Sequence, residues 1–215
     1  YDSQGGGVMG HCLFLRKGSV HTAPGKGLPA GYTKLAYIQS SGTQYINTGF
    51  NPNQNTRAVV DCQILSGNTA NGQIVSAIDG KNYYLVIFLY PNNVFSTRYG
   101  TGNLQNFASS ISPFDRQTID KNKNVTTIAG ATVMSTAATF SINYPLYLFA
   151  RDNAGAVDNL CKMRIYSCQI YNNDTLVRDF QPCIDASGAV GLYDFVGKQF
   201  YGNAGTGAFT GSEVE

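Results

Sequence analysis

The sequence predicts an all-β fold, an antiparallel β-sandwich or jelly roll of two sheets that is preceded by an extended N-terminal arm. Strand-length apolar segments alternate with turn-forming residues at intervals of about ten residues, which is typical of sandwiches. A parallel α/β fold would need amphipathic helices of about 10–15 residues between the strands, and the sequence contains no such segments. Only 13% of the 215 residues are charged and 24 are glycine, a composition that suits sheets and turns.

The individual strands are predicted from apolar runs and from alternation. Met163 and Ile165 alternate with Arg164 and Tyr166, which is the pattern of a half-buried strand. Residues 103–109 are the one place where a short helix is an alternative. The predicted strands are 35–39, 44–50, 56–65, 73–78, 83–90, 94–99, 116–120, 125–128, 132–134, 138–142 and 146–151, followed by strand hairpins between 162 and 203.

The glycine- and proline-rich stretch before residue 32 separates an arm, residues 1–31, from a domain, residues 32–215. Residues 1–8 are typical of a linker or a cloning remnant, and Met9 is a candidate native start. The arm contains one apolar burst, which we expect to anchor it to a particle or to sister chains. This burst consists of Cys12, Leu13, Phe14 and Leu15.

Charge argues against a nucleic-acid partner, because 15 basic and 13 acidic residues give a net charge of only +2 and the basic residues are scattered. We expect the densest basic spots, 16–17 and 121–123, to be solvated turns. No apolar run reaches the roughly 18 residues of a membrane span, and no signal peptide is visible. The five cysteines have neither an even count nor a CxxC spacing, which favours buried free thiols over disulfides or zinc.

The alternation of the run 83–90 predicts which way its side chains face. We expect the aliphatic set of Leu85, Ile87 and Leu89, together with Tyr83, to pack between the sheets. The aromatic-rich set would then face a concave outer surface. The same reasoning places Tyr147 and Arg151 on an outer face.

Several segments resemble a known family when they are taken in chain order: YIQSSGTQYINTGFNPNQNTRAVVD at 37–61, TIDKNKN at 118–124, LYLFARDNAG at 146–155 and the run 162–209. They resemble the concanavalin A-like, laminin-G-like jelly-roll module of phage and prophage structural proteins of gut Firmicutes. The leader 9–17 also looks like the start of small phage tail or virion proteins. The resemblance implies a two-sheet antiparallel sandwich that binds glycans or attaches one protein to another.

Catalysis is not expected. Some jelly rolls of this superfamily are glycosidases that need two flanking carboxylates, but the two glutamates here, Glu213 and Glu215, stand in the last three residues. Both histidines, His11 and His21, lie in the arm, so the domain lacks the usual base for a serine or cysteine nucleophile. Their spacing with Cys12 fits no zinc motif.

The resemblance also implies a calcium site, since laminin-G-like sandwiches often bind Ca²⁺ at a loop rim through Asp and Asn oxygens. The loop 151–159 offers such ligands, although Asx residues in a glycine-containing loop are more often turn formers. The candidate ligands are Asp152, Asn153, Asp158 and Asn159.

A sugar needs an aromatic platform flanked by planar polar groups, and tyrosine must provide it because tryptophan is absent. The same residues would equally suit a contact between subunits, where aromatic residues are enriched. The candidates for glycan or partner binding are Tyr84, Tyr90, Asn92, Asn93, Tyr147 and Arg151.

We therefore expect a non-catalytic phage virion protein, a tail-fibre, receptor-binding or head-decoration component. Its partners would be host cell-surface polysaccharide or other virion proteins, and family analogy suggests a homotrimer assembled in the host cytoplasm. The alternative is a bacterial surface adhesin or a secreted carbohydrate-binding module. A third hypothesis, an enzyme acting on polysaccharide, lacks the glutamates that it would need.

Overall fold

A computed structural model describes residues 27–214, which fold into two sheets of ten and eight strands packed as a sandwich. The predicted all-β, antiparallel two-sheet fold is confirmed, with one parallel strand pair as an exception. Within the described residues, no helix is long and apolar enough to cross a membrane.

The eighteen strands follow one another with short turns. They are β1 (Thr33–Gln39), β2 (Ile46–Asn47), β3 (Thr56–Ile64), β4 (Gly72–Ile78), β5 (Tyr83–Leu89), β6 (Val94–Gly100), β7 (Gln105–Asn106), β8 (Gln117–Asn122), β9 (Val125–Ile128), β10 (Ala131–Met134), β11 (Tyr147–Leu148), β12 (Arg151–Asn153), β13 (Ala156–Asp158), β14 (Met163–Asn172), β15 (Thr175–Ile184), β16 (Val190–Asp194), β17 (Gln199–Tyr201) and β18 (Thr210–Glu213).

The larger sheet has the strand order β10-β9-β8-β3-β14-β1-β15-β16-β17, and β18 pairs with β1. At one end β1 lies between β14 and β15, while at the other end these two strands pair directly. The smaller sheet has the order β13-β12-β4-β5-β6-β7, with β11 joining β4 to β2. The edge of β4 is therefore shared by β11, which runs antiparallel to it, and by β12, which runs parallel.

The main core lies between the sheets and is built by alternation. Along β3 every second residue is buried, and along β14 Met163 and Ile165 are buried while Arg164 and Tyr166 are half-buried. This confirms the alternation predicted for β14. The turn after it also uses the expected residues, since Asn173 and Asp174 both have positive φ, which asparagine and aspartate tolerate well.

Three predicted strands differ from the structure, and the first of them, 44–50, is reduced to the two residues of β2. Residues 138–142 form no strand and contribute only an isolated bridge between Asn53 and Ser141. The predicted strand 146–151 is broken at Phe149, which has a φ of 69°, so β11 and β12 are separate short strands. The alternative helix at 103–109 is wrong, because the chain there forms the edge strand β7.

The side chains of β5 point in the directions opposite to those predicted. Tyr84, Val86 and Phe88 belong to the core between the sheets. Leu85 and Ile87 lie on the opposite face, in a separate apolar cluster. Nearly every residue of this strand is apolar, so both faces matched the pattern of a buried one.

Lys121 contradicts the expectation that the basic spot 121–123 is a solvated turn. It occupies an inward position of β8 and is completely buried. Its Nζ donates to Thr97 Oγ1 at 2.9 Å and lies 5.0 and 5.5 Å from the ring centroids of Tyr84 and Tyr99. Burial lowers the pKa of Lys121 to about 7, because desolvation disfavours the charged ammonium.

The four cysteines among the described residues are free and buried, as predicted, and they are Cys62, Cys161, Cys168 and Cys183. Burial raises the pKa of each of these thiols. They therefore act as small apolar side chains in the core.

Replacing Lys121 with methionine should remove one component of the pH dependence of stability. The folded-state pKa of about 7 lies below the 10.5 of an ordinary lysine, so the unfolded chain binds more protons in this range. The free energy of unfolding therefore rises with pH above 7. We expect wild type to gain about 1.5 kcal/mol relative to Lys121→Met between pH 7 and 8.5. Urea unfolding followed by circular dichroism measures this difference.

The comparison isolates the lysine, since the effects of the buried thiols are common to both proteins. The titratable side chains stacked on Lys121 are Tyr84 and Tyr99, and burial raises the pKa of both, so they stay neutral. A constant offset between the two stability curves would mean that Lys121 remains charged in the fold.

Candidate functional site

The structure divides the predicted binding residues among separate places, beginning with Tyr84 in the core. This side chain is fully buried, and its hydroxyl donates to the carbonyl oxygen of Lys121 at 2.9 Å and to that of Thr56 at 3.3 Å. No ligand on the protein surface can reach it. The prediction of Tyr84 as a binding residue is therefore wrong. It assumed that this side of β5 faces outward, whereas this side faces the core.

Tyr147 and Arg151 do lie near each other along the edge of β4. Tyr147 pairs with Ser76, and Arg151 precedes the residue that pairs with Ala77. The ring of Tyr147 packs on Tyr45 with centroids 4.8 Å apart and is only 8% exposed. Burial, followed by the nearby Asp152 and Tyr45, raises the pKa of Tyr147 to about 12. Its hydroxyl stays neutral, but the ring offers little surface to a ligand.

Tyr90, Asn92 and Asn93 form a separate turn after β5. Tyr90 is 45% exposed, and its backbone N–H donates to Asn71 Oδ1 at 2.9 Å. Tyr147 pairs with Ser76 of β4, and Ser76 pairs in turn with Leu85 of β5. Leu85 lies about four residues, or roughly 13 Å, before the end of β5, where the turn of Tyr90 begins. The two groups do not form one site.

Both aspartates among the predicted calcium ligands already accept hydrogen bonds from protein groups. Asp158 accepts two bonds from Arg151, at 2.6 and 2.7 Å, and a third from Asn153 at 3.0 Å. Asp152 is buried, which raises its pKa, and it accepts the backbone N–H of Gly155. Residues 27–214 contain no cluster of three His, Cys, Asp or Glu side chains suited to a metal ion. Asp152 Oδ2 is buried and has no hydrogen-bond partner among the described residues. The hairpin is held by an ion pair and a turn, and the calcium site stays a prediction.

The predicted anchoring residues, Cys12 to Leu15, lie outside the described residues, as do His11 and His21. The structure therefore leaves the predicted role of the arm as a prediction.

A surface that the sequence did not single out lies on the outward face of the larger sheet. Three guanidinium groups cover three tyrosine rings there, on strands β1, β3 and β14 and just before β8. We call this surface the arginine–tyrosine face, and it consists of Tyr37, Arg57, Arg116, Arg164, Tyr166 and Tyr171.

Cation–π contacts join the rings of this face. Arg164 Cζ lies 4.3 Å from the centroid of Tyr37, and Arg116 Cζ lies 3.9 Å from that of Tyr166. These two rings meet edge to face with centroids 5.6 Å apart. Arg57 is 5.4 Å from the ring of Tyr171, its direct partner on β14. Such contacts orient both members of each pair.

Hydrogen bonds hold the polar ends of the same side chains. Arg57 makes a bidentate ion pair with Asp120 at 2.9 and 2.7 Å, and Arg116 makes one with Asp61 at 2.9 and 2.6 Å. Arg164 differs from them, because within the described part of the chain its partner is the neutral Gln39, at 2.7 Å from Nε. Its remaining N–H groups are available to an outside acceptor.

The hydroxyl groups of two of the three rings donate to glutamine side chains. Tyr166 donates to Gln63 at 3.0 Å and Tyr171 donates to Gln169 at 2.9 Å. The rings of Tyr166 and Tyr171 are therefore held both at the face and at the hydroxyl. The surface is rigid and aromatic, and it carries polar groups in fixed positions.

This face was missed because it depends on strand register. The alternation of Arg164 and Tyr166 was visible in the sequence, and so was the outward facing that it implies. However, Tyr37 and Gln63 come close to these residues only through the pairing of β14 with β1 and β3. Arginine and tyrosine at alternating positions of several predicted strands would have been the available signal.

No protein-family model matches the chain, and no curated protein matches it either.

Adding millimolar Ca²⁺ should leave the melting temperature of the protein unchanged, because the Arg151 guanidinium occupies the Asp158 carboxylate. Differential scanning calorimetry with and without Ca²⁺ checks this. Arg151→Ala is the informative variant, since it frees the carboxylate. A rise in melting temperature of the wild-type protein with Ca²⁺ would contradict the assignment of the hairpin to the ion pair.

Proposed function

We propose that this protein is a non-catalytic component of a phage virion, as the sequence resemblance implies. Its sandwich attaches to a neighbouring structural subunit by contact alone. The observation that supports this function best is the arginine–tyrosine face. It gives the sandwich a preorganised outer surface of the composition that protein interfaces use.

The composition of the face supports a protein partner. Tyrosine and arginine are the residues, along with tryptophan, that most often contribute strongly to binding between proteins. Here they alternate over neighbouring strands of one sheet, and the side chain of Arg116 is 57% exposed. A partner that places a carboxylate against Arg164 would complete the set of ion pairs that Arg57 and Arg116 already make.

The rigidity of the face supports the same partner. Ordering a long side chain on binding costs about 0.5–1.5 kcal/mol. Stacking and hydrogen bonding already order Arg57, Arg116 and Arg164. Less entropy is therefore lost when a subunit docks.

A sugar is less suited to this face, because a guanidinium group already covers a side of each tyrosine ring. Glycan binding has a different candidate place, the turn of Tyr90, Asn92 and Asn93. An exposed ring stands there next to two exposed amide side chains. This observation favours cell-surface glycan as the second candidate ligand, and it would also suit a bacterial adhesin or a secreted carbohydrate-binding module.

Particles produced by the source strain should contain this chain. Mass spectrometry of purified phage particles, compared with the cell-surface and secreted fractions, checks this. Enrichment in the particles is the expected result. Enrichment on the cell surface or in the medium, with none in particles, would replace the virion assignment by the adhesin or secreted module.

Alanine at Arg164 or Tyr166 should reduce incorporation of the tagged protein into particles. Truncating a central interface residue of these types costs about 2 kcal/mol or more, which is roughly thirty-fold in affinity. Quantitative mass spectrometry of particles assembled with each variant measures the loss.

Tyr90→Ala tests the second candidate place, because Tyr90 is an exposed tyrosine away from this face; this variant should be incorporated into particles like wild type. Each variant should keep the wild-type melting temperature to within a few degrees. The partner face would be wrong if Tyr90→Ala lost binding to host polysaccharide or particles while Arg164→Ala and Tyr166→Ala behaved as wild type.

A further inference from the structure

The larger sheet ends at β10, and the outer edge of this strand is open. Within residues 27–214, β10 pairs with β9 on one side and with no strand on the other. Thr132 is exposed, and Met134 is 67% exposed. This edge of the sheet therefore faces solvent.

The hydrogen bond of Ser135 shows which way the backbone groups of β10 point. Its N–H donates to the carbonyl oxygen of Asn124, the residue before β9, at 2.8 Å. In an antiparallel pair, the N–H and C=O of one residue point to the same side, and this side alternates from residue to residue. The backbone groups of Thr132 and Met134 therefore point away from β9, to the open edge.

This edge lacks the usual protection against pairing with another chain. Proteins protect edge strands by shortness, by lysine or proline, or by a bulge. The strands at the other ends of the two sheets are shorter, with two residues in β7 and three each in β13 and β17. β10 has four residues in regular register with β9 and contains no proline. Residues 125–150, which include it, contain no charged side chain.

The open edge is complementary to a second copy of itself. Two β10 strands can meet antiparallel about a two-fold axis at Val133, so that Thr132 of each copy stands opposite Met134 of the other. Each outward N–H of one copy then finds a carbonyl oxygen of the other. An axis at Thr132 would instead bring Met134 opposite Gly130, which lies in the turn with a φ of 79°. Uncharged strands also meet their own copies without repulsion.

The side chains of β10 suit this pairing on both faces of the sheet. Ala131 and Val133 pack against the main core, so pairing continues the core layer across the axis. Thr132 lies on the outward face, where its hydroxyl oxygen is 3.2 Å from that of Thr127. Met134 shares this face by alternation, and pairing places its exposed side chain beside Thr132 of the other copy.

We propose that β10 is a dimerisation edge, at which two copies of this chain join their larger sheets by antiparallel pairing centred on Val133. The product is a two-fold dimer in place of the homotrimer that family analogy suggests. The pairing does not depend on the virion function. If that function holds, the dimer presents two arginine–tyrosine faces on one continuous sheet, and it can engage two neighbouring subunits.

The oligomeric state of the purified chain tests this pairing. Sedimentation equilibrium should give a dimer for wild type, and Met134→Lys should weaken the dimer by about tenfold or more, because an edge lysine opposes strand pairing. Val157→Lys adds the same charge to the exposed edge strand β13 of the smaller sheet and is the matched control. Both variants should keep the wild-type melting temperature, since both positions are exposed.

Two outcomes of this measurement would overturn the proposal. A monomeric wild type would leave the edge to a strand of a different protein. Equal association of Met134→Lys, Val157→Lys and wild type, whether as dimer or trimer, would place the contact between copies elsewhere.

A cysteine at the two-fold axis tests the register. In Val133→Cys the two thiols are opposite each other, with Cα atoms about 4.5 Å apart, a distance that a disulfide spans. In Thr132→Cys, the control, the two copies are offset along the strands and stand about 8 Å apart, which is too far. Cys12→Ser is added to both variants, and the described native thiols are buried.

Mild oxidation followed by non-reducing electrophoresis should give a covalent dimer of Val133→Cys in clear excess over Thr132→Cys. Equal yields, no covalent dimer, or a preference for Thr132→Cys would overturn the proposal. The virion function is tested separately by the content of the particles, so that either proposal can fail alone.

Discussion

The hydroxyl group of Tyr84 joins the two sheets, and the arrangement of the outer surfaces depends on it. Tyr84 stands on β5 of the smaller sheet and donates to backbone carbonyls of Lys121 and Thr56, both in the larger sheet. A buried tyrosine hydroxyl must find an acceptor, and these carbonyls provide one only if the ring points inward. Because side chains alternate along a strand, this contact directs Leu85 and Ile87 outward.

The two outer faces differ in character as a consequence. The smaller sheet presents aliphatic side chains and the buried amide of Gln73. The larger sheet presents charged and aromatic side chains that solvate well when no partner is bound. A surface of this kind can be open in the free protein and still bind, since desolvating its ion pairs is offset when a partner adds hydrogen bonds.

Prediction from sequence succeeded where one face of a strand was polar. Along β14 the alternation predicted both the strand and its buried side, because Arg164 and Tyr166 contrast with Met163 and Ile165. It failed on β5, where both sides are apolar, so that only the hydrogen bond of Tyr84 decides the facing. Prediction also failed on Lys121, because the threonine and tyrosine side chains that bury this lysine lie on other strands. The candidate face depends on register across four strands, which composition and spacing do not encode.

The placement of the ion pairs argues that the larger face serves recognition. In a chain with only 13% charged residues, bidentate pairs of Arg57 with Asp120 and of Arg116 with Asp61 stand side by side on one sheet. Exposed pairs of this kind contribute little to stability, about 0–1 kcal/mol each, so stability gives no reason to concentrate them there. Their geometry does hold two guanidinium groups over tyrosine rings, with Cζ 5.4 Å from the centroid of Tyr171 and 3.9 Å from that of Tyr166. Arg164, stacked in the same way but without a carboxylate among the described residues, is then the position where a partner's acid would complete the pattern.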